Sequence, residues 1–327
     1  MLLNRWKNLV KYSPRGLAGL CLSVAVLMAH ETALAGELTY VVSQVTPAGA
    51  TPHFPGFDAA TGNVLVSNVT VGTVTELDPG VGPVRTFQAQ AVPHSVKVDG
   101  YAKRAYVVNK GASTVSVLDL ASGLTLATFP VGPNPHGLAI DTKRNRLYVT
   151  SIDANRLEVY DVNTYQLIAL VPVGLGPWGV DARGGIIVVT DTGSDTIHII
   201  DADELEVKEV VVVGQYPWAA SIGASGRIYV TIQGSGEMVA VYKKSVIWRT
   251  PIGIRPLGIV ADESRNRVLA SINGANQVAV VQAKSGKLHQ LIPVAARPAG
   301  ITYDFSTGTG YVANQGAGVV STLSLQY

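Results

Sequence analysis

The chain has 327 residues, with 25 lysines and arginines against 23 aspartates and glutamates, and one cysteine. This length fits one or two domains, and a single large all-β domain lies within that range. No cluster of basic residues follows the first 15 positions, which excludes the broad positive surface typical of nucleic-acid-binding proteins. A single cysteine excludes a disulfide within the chain.

The first 35 residues predict a secretory signal peptide. An apolar stretch from Leu17 to Met28 leads to the sequence Ala33-Leu34-Ala35, an A-x-A cleavage site before Gly36. Basic residues precede the apolar stretch: Arg5, Lys7, Lys11 and Arg15. The stretch is shorter than the roughly 20 residues that span a bilayer, so we expect cleavage near Ala35-Gly36 and a periplasmic or secreted protein without a membrane span.

Cleavage also changes the composition of the mature chain. The only cysteine, Cys21, lies in the signal, so residues 36–327 have no thiol that could act as a nucleophile or metal ligand. Loss of four basic residues and Glu31 leaves 21 basic against 22 acidic residues. The basicity of the full chain therefore belongs to its signal.

Seven copies of one unit make up the remainder. The units open at Pro52, Pro93, Pro135, Pro177, Pro217, Pro256 and Pro298. The third unit, from Pro135 to Gly174, contains four apolar runs rich in β-branched and aromatic residues: His136–Ile140, Leu147–Ser151, Leu157–Tyr160 and Leu167–Val173. Turn-forming residues separate the runs, a pattern typical of strands. No sustained helical period occurs, so we expect hardly any helix.

Four strands in a repeat of about 40 residues are the signature of a β-propeller blade. The sequence thus predicts an all-β, seven-bladed propeller with four-stranded blades, in one domain of residues 36–327. The seventh unit ends after three strands, near Ser324 and Leu325, whereas a strand-like piece, Leu38–Thr46, precedes the first unit. We expect this N-terminal strand to complete the last blade and close the ring.

The second strands carry the motif that connects the chain to a known family. In order, they read LVSN, YVVN, YVTS, VVTD, YVTI, LASI and YVAN. With the VG-x-x-P turns at 131–135 and 173–177, and the aspartates that close third strands (Asp78, Asp119, Asp161 and Asp201), they resemble the YVTN-repeat propellers, including the YncE-like periplasmic proteins. This resemblance implies a seven-bladed propeller and export. It implies little about activity, because the fold hosts binding modules and enzymes alike.

The residue after each opening proline differs between units. In order, these residues are His53, His94, His136, Trp178, Trp218, Leu257 and Ala299. The family geometry implies that they lie near one mouth of the central channel, three imidazoles followed by two indoles in an arc. Three imidazoles with an open fourth position suit Zn²⁺ or Cu²⁺. The alternative is that these histidines pack and hydrogen-bond as part of the fold.

Other candidate ligand-binding residues flank this position. Arg255 and Arg297 directly precede the opening prolines of neighbouring units and could clamp a carboxylate or phosphate beside Trp178 and Trp218. The alternatives are solvated arginines and aromatic side chains that fill the channel. The last residues of the second strands, Asn68, Asn109, Asp191 and Asn314, are expected on the same face. Asp191, Ile232 and Ile272 depart from the motif, which leaves any interaction of its Asn in doubt there.

These observations predict an exported, monomeric module that binds a small molecule, a peptide or a partner protein at the channel mouth. The alternative is a metal-assisted hydrolase, lyase or oxidoreductase that uses His53, His94 and His136; a third hypothesis is a subunit that docks a redox partner. Linear catalytic signatures such as G-x-S-x-G or H-E-x-x-H are absent from the sequence. Binding of single-stranded nucleic acid is implied only by the family resemblance, and the missing basic groove disfavours it.

Overall fold

A computed structural model describes residues 38–326, which form 28 strands in seven four-stranded sheets. Tyr40–Ser324 make up one compact unit. Within the described part of the chain there is no helix, and hence none long and apolar enough to cross a membrane. The predicted signal peptide and its cleavage site lie outside the described residues, so both stay predictions.

Each blade consists of strands consecutive in sequence, apart from the last. Blades 1 and 2 contain β2 (Gly56–Phe57), β3 (Val64–Asn68), β4 (Thr73–Asp78) and β5 (Gly82–Gln88), then β6 (Pro93–Asp99), β7 (Arg104–Asn109), β8 (Thr114–Asp119) and β9 (Thr125–Pro130). Blades 3 and 4 contain β10 (Pro135–Asp141), β11 (Arg146–Ser151), β12 (Arg156–Asp161) and β13 (Leu167–Pro172), then β14 (Pro177–Arg183), β15 (Ile186–Asp191), β16 (Thr196–Asp201) and β17 (Val207–Val212).

The remaining blades follow the same plan. Blades 5 and 6 contain β18 (Pro217–Ile222), β19 (Ile228–Ile232), β20 (Glu237–Tyr242) and β21 (Ser245–Pro251), then β22 (Pro256–Asp262), β23 (Arg267–Ile272), β24 (Gln277–Gln282) and β25 (Leu288–Pro293). Blade 7 contains β26 (Pro298–Asp304), β27 (Thr309–Asn314), β28 (Val319–Gln326) and β1 (Thr39–Pro47). The predicted four strands per unit are confirmed.

The N-terminal strand closes the ring as predicted, since β1 is the outer strand of the seventh sheet, in the order β26-β27-β28-β1. The side chain of Gln290, on the outer strand of blade 6, holds it like a peptide group: Nε2 donates to Tyr40 O (2.8 Å) and Oε1 accepts from Tyr40 N (2.9 Å). The hydroxyls of Tyr40 and Tyr303 lie 2.6 Å apart, and that of Tyr303 donates to Asp262 (3.0 Å). These contacts tie the first strand to blades 6 and 7.

The apolar core lies between adjacent sheets. Between blades 3 and 4, for example, Tyr148 and Val159 pack with Ile187 and Val189, all fully buried. Second and third strands are buried on both faces, which explains their continuous apolar runs. The predicted turn role of the aspartates that end third strands is confirmed, since each carboxylate accepts the backbone N–H two residues on: Asp78 from Gly80, Asp119 from Ala121, Asp161 from Asn163 and Asp201 from Asp203.

Candidate functional site

One face of the ring collects two loops from every blade. Because the strands of a blade are antiparallel, the start of the first strand and the end of the second lie at the same edge of the sheet. Hydrogen bonds join the two loops, as in Lys110 N to Val92 O (2.9 Å) and Asn273 N to Arg255 O (3.0 Å). We call this surface the channel face; it is made of the loop before each opening proline and the turn between second and third strands.

The residue before each opening proline has a left-handed backbone. Its φ is 53° at Thr51, 55° at Val92, 52° at Asn134, 62° at Gly176, 56° at Tyr216, 56° at Arg255 and 53° at Arg297. Positive φ is uncommon for residues other than glycine, and for β-branched residues such as Thr51 and Val92 it is strained. Because the residue type at this position differs from blade to blade, the shared positive φ could not be predicted from the sequence. It turns the chain sharply before each innermost strand.

A β-bulge follows the proline and aims the next side chain. In blades 2 to 7 the register between first and second strands shifts at this point, for example between Pro135 and Leu138. An extra residue in one strand of an antiparallel pair bends that strand and redirects its side chains. His136 and its counterparts in these blades lie within the shift. The β-bulge therefore changes the direction of these side chains relative to those of the rest of the strand.

Hydroxyl groups join each of these residues to the preceding blade. The penultimate residue of a second strand donates to the carbonyl of the next blade's residue after proline: Ser67 to His94 (2.7 Å), Thr150 to Trp178 (2.8 Å), Thr190 to Trp218 (2.9 Å), Thr231 to Leu257 (2.8 Å) and Ser271 to Ala299. Blade 2 has Val108 at this position, and Ser95 instead donates to His136 (3.0 Å). These bonds give the hydroxyl residue of the repeat motif a positioning role that sequence reasoning missed.

Glycine after His136 and after Trp178 allows the innermost strands of blades 3 to 5 to approach closely. A Cβ at Gly137 would lie 2.4 Å from Trp178 O, and one at Gly179 would lie 2.8 Å from Trp218 O. Both distances are shorter than van der Waals contact, so a side chain there would push neighbouring blades apart. The Pro-His-Gly and Pro-Trp-Gly sequences therefore reflect packing at the channel as well as the side chain they present.

The structure brings the five predicted aromatic residues into one continuous row of ring contacts, tilted or edge-to-face, which we call the aromatic arc. Successive ring centroids are 4.0 Å apart for His53–His94, 3.9 Å for His94–His136, 3.9 Å for His136–Trp178 and 4.0 Å for Trp178–Trp218. Phe54 packs against it, 5.4 Å from the ring of His94. The arc extends over blades 1 to 5. Blades 6 and 7 carry buried Leu257 and Ala299 instead.

The imidazoles of the arc are held in their neutral form. His94 and His136 are only 6% and 3% exposed. Burial, with a further contribution from Lys110, lowers the pKa of His53 to about 3. Burial likewise lowers the pKa of His94 and of His136 well below the usual value, with nearby imidazole and Lys110 charges acting in the same direction. Nδ1 of His136 lies 3.3 Å from Trp178 O, which can only accept, so Nδ1 carries the proton.

A metal site at His53, His94 and His136 has no ligand set in the described structure. Among residues 38–326, no three His, Cys, Asp or Glu side chains are grouped so that they could hold a metal ion. Zinc ligation needs ring nitrogens that converge on one point about 2.0 Å away, whereas these rings pack against each other. Ligation of Zn²⁺ or Cu²⁺, and the metal-assisted enzyme that depends on it, stay untested predictions.

Lys110 reaches over the arc, and a small cavity lies along it. Lys110 Nζ is 5.0 Å from the ring centroid of Trp178, a cation–π contact, and burial lowers its pKa. The cavity measures about 80 Å³ and is lined by Phe54, His136 and Trp218 among others. Sites for drug-sized molecules measure about 300–1,000 Å³. This cavity, which lies within residues 38–326, is therefore smaller than such sites.

Asn109 and Asp191 lie beneath the channel face, and their ligand-binding role stays a prediction. Both side chains are fully buried and bond within their own blade. Nδ2 of Asn109 donates to Ser116 Oγ (2.9 Å), and Asp191 Oδ2 lies 2.6 Å from His198 Nδ1. Burial raises the pKa of Asp191, with the His198 contact opposing it. These residues hold the second and third strands together beneath the channel face.

Contacts between the second and third strands explain why Asp191, Ile232 and Ile272 replace the asparagine that ends the YVTN motif. The residue that ends the second strand faces the residue seven positions on, in the third strand: Asn68 faces Thr75, Asn109 faces Ser116, Asp191 faces His198 and Asn314 faces Ser321. The corresponding residues of blades 5 and 6 are Ile232 with Val239 and Ile272 with Ala279; each pair belongs to one apolar cluster, and all four are fully buried. Polar residues are thus paired with polar ones and apolar with apolar. A comparison of positions seven apart could have revealed this in the sequence.

Arg255 and Arg297 are both exposed on the channel face, in blades 6 and 7. Within residues 38–326, neither forms an ion pair or packs on an aromatic ring. The two blades that lack an aromatic residue after the proline are thus the two that carry an arginine before it. Clamping of a ligand by this pair stays a prediction.

The channel face also exposes apolar side chains, which we call the apolar rim. Its members precede the opening prolines by one or two residues: Val92 is 37% exposed, Leu175 58%, Tyr216 55% and Ile254 70%. Leu175, Tyr216 and Ile254 belong to three consecutive blades. Clustered exposed apolar residues of this kind mark interaction surfaces more often than isolated ones do.

Seven four-stranded antiparallel sheets in a ring define a seven-bladed β-propeller. No family model matches the chain, so the YVTN-repeat resemblance is not confirmed. The chain is similar to the seven-bladed β-propeller protein Rv1057 of Mycobacterium tuberculosis, with 27% identity over 129 residues, 36% of this chain and 32% of that protein. The match thus spans about a third of the relative's length.

Two solved structures resemble the fold. A chain of the Kuenenia stuttgartiensis hydrazine synthase superimposes with a TM-score of 0.77 at 17% identity, covering 85% of this chain and 96% of that one. A streptogramin B lyase superimposes with a TM-score of 0.74 at 14% identity, covering 88% and 98%. At these identities, the likeness shows the fold alone.

Proposed function

We propose that this protein is an exported interaction module that docks a partner protein on its channel face. The observation that carries the proposal is the combination, on one face, of a partly exposed aromatic arc with the apolar rim around it. Aromatic residues are enriched where proteins bind one another, because they bury a large area at a small entropy cost. The cavity of about 80 Å³ disfavours a small molecule as the main ligand.

Export rests on the N-terminal sequence pattern. The measurement that tests it is the N-terminal sequence of the protein recovered outside the cytoplasm, expected to begin at or near Gly36. Protein that is found only in the cytoplasm, with Met1 intact, contradicts export.

The docking proposal is tested by affinity capture from an extract of the source cells, followed by binding to the purified partner. The face variant Tyr216→Ser/Ile254→Ser should lose the partner. A control, Leu124→Ser/Leu126→Ser, removes exposed apolar residues from blade 2 outside the channel face and should retain it. Equal retention by both variants excludes the channel face as the docking surface.

A further inference from the structure

Charges on the channel face indicate what kind of partner fits it. The loops before the opening prolines and the turns between second and third strands contain few charged residues: Lys110, Asp153, Asp195, Arg255 and Arg297. Both aspartates accept hydrogen bonds from other residues of the channel face. Asp153 accepts from Asn134 Nδ2 (3.0 Å), and Asp195 accepts from Tyr216 N (3.1 Å).

The three cations have no such partners. Throughout residues 38–326, no carboxylate oxygen lies within 4.0 Å of Lys110, Arg255 or Arg297. Two charged pairs just outside the loops, Arg156–Glu158 and Arg249–Glu237, satisfy each other. Lys110, Arg255 and Arg297 set against Asp153 and Asp195 leave a net charge of +1 on the channel face, and Asp153 is near enough to act electrostatically on Lys110. The two arginines are the exposed cations on an otherwise apolar and aromatic surface.

The positions of these cations complement the arc. Aromatic side chains occupy the mouth in blades 1 to 5, while Arg255 and Arg297 stand in blades 6 and 7, where the arc is interrupted. Lys110 extends over the arc at Trp178. A ligand across the mouth would thus meet aromatic and apolar groups on one side and guanidinium groups on the other. Arginine binds carboxylates in a two-pronged geometry, which adds specificity to the charge attraction.

We infer that the channel face recognises an acidic, apolar segment of its partner, in which aspartate or glutamate lies beside aromatic or aliphatic residues. This inference rests on the proposed docking function and adds the chemistry of the partner. The apolar side chains of the segment would pack on the arc and rim, and its carboxylates would pair with Arg255, Arg297 and Lys110. A basic or purely apolar segment would leave those cations without partners.

The test is selection from a random twelve-residue peptide display library on immobilised mature protein, followed by affinity measurements with synthetic selected peptides. Wild type should enrich peptides that combine carboxylates with aromatic or aliphatic residues. Arg255→Glu/Arg297→Glu should weaken their binding at least tenfold. The matched control, Lys143→Glu/Lys284→Glu, makes the same charge change at exposed residues of turns on the opposite face and should leave the affinity within twofold.

The outcomes separate the two proposals. Peptides that are lost on Tyr216→Ser/Ile254→Ser but carry no carboxylates, or are insensitive to Arg255→Glu/Arg297→Glu, overturn the acidic partner and leave the docking face standing. Peptides unaffected by both face variants overturn both proposals. Equal weakening by the opposite-face control would show attraction to net charge alone and also overturn the inference. Circular dichroism spectra that match the wild type confirm that each variant is folded.

Discussion

Asp191 Oδ2 and His198 Nδ1 lie 2.6 Å apart in blade 4, at the positions where blade 5 has the buried apolar residues Ile232 and Val239. We expect Asp191→Ile to destabilise the protein by about 1–3 kcal/mol, because the imidazole loses its buried partner. The double variant Asp191→Ile/His198→Val, which copies blade 5, should recover most of that loss. Urea unfolding of both single variants and the double variant gives the coupling energy, expected at about 0.5–3 kcal/mol. Additive effects would contradict the pairing.

The hydroxyl of Thr190 bridges two blades, since it accepts from Gly179 N (2.8 Å) and donates to Trp218 O (2.9 Å). Thr190→Val removes both bonds while it keeps the side-chain shape. We expect a loss of about 1–3 kcal/mol in unfolding free energy and a changed near-ultraviolet circular dichroism spectrum as Trp218 shifts. Thr190→Ser retains the hydroxyl and should retain the wild-type spectrum. A valine variant with that same spectrum would show that the bond does not position Trp218.

Val92 is β-branched and has a φ of 55°. Asparagine tolerates the left-handed region, as Asn134 does at the equivalent position of blade 3. Val92→Asn should therefore stabilise the protein by about 1 kcal/mol, measured by denaturant unfolding. Val84→Asn, at an exposed residue of strand β5, is the control and should destabilise it, because asparagine is a poor strand former. A Val92→Asn variant less stable than the wild type would contradict backbone strain at Val92.

The free energy of unfolding should fall at acidic pH, because the arc histidines take up protons in the unfolded chain and stay neutral in the folded one. The folded-state pKa of His136 lies well below the value of about 6.5 for an unfolded imidazole. Below pH 6.5 the unfolded chain therefore binds a proton that the folded chain excludes, and stability falls as the pH drops, by up to about 1.4 kcal/mol per pH unit for each such histidine.

His136→Leu, which copies Leu257 of blade 6, isolates this effect. Between pH 7 and pH 5 the variant should lose about 2 kcal/mol less stability than the wild type, measured by urea unfolding at each pH. The raised pKa of Asp191 acts in the opposite direction, but it is common to both proteins and cancels in the comparison. Equal pH dependence of the two proteins would show that His136 is protonated in the folded state.

Sequence reasoning predicted the fold well because each blade repeats the same local signals. Strand periodicity, turn aspartates and the incomplete seventh unit sufficed for seven blades closed by the N-terminal strand. The same reasoning placed His53 to Trp218 together, because equivalent positions of a ring converge on its axis. It could not foresee that Asn109 and Asp191 are buried, since burial beneath a loop depends on contacts across the hairpin. Nor could it foresee the left-handed residues before the prolines, because their side chains share no chemistry.

Closure of the ring pairs the first strand to be synthesised with the last one. A ribosome releases β1 before any other strand described here, yet its partner β28 is the last to be made. Until then Thr39–Pro47 have no strand to pair with, and the unpaired edge is a site where chains can associate wrongly. Pairing of the two ends is a contact between residues far apart in sequence, which forms slowly. The first strand to be made therefore stays without its pairing strand until the last one is complete.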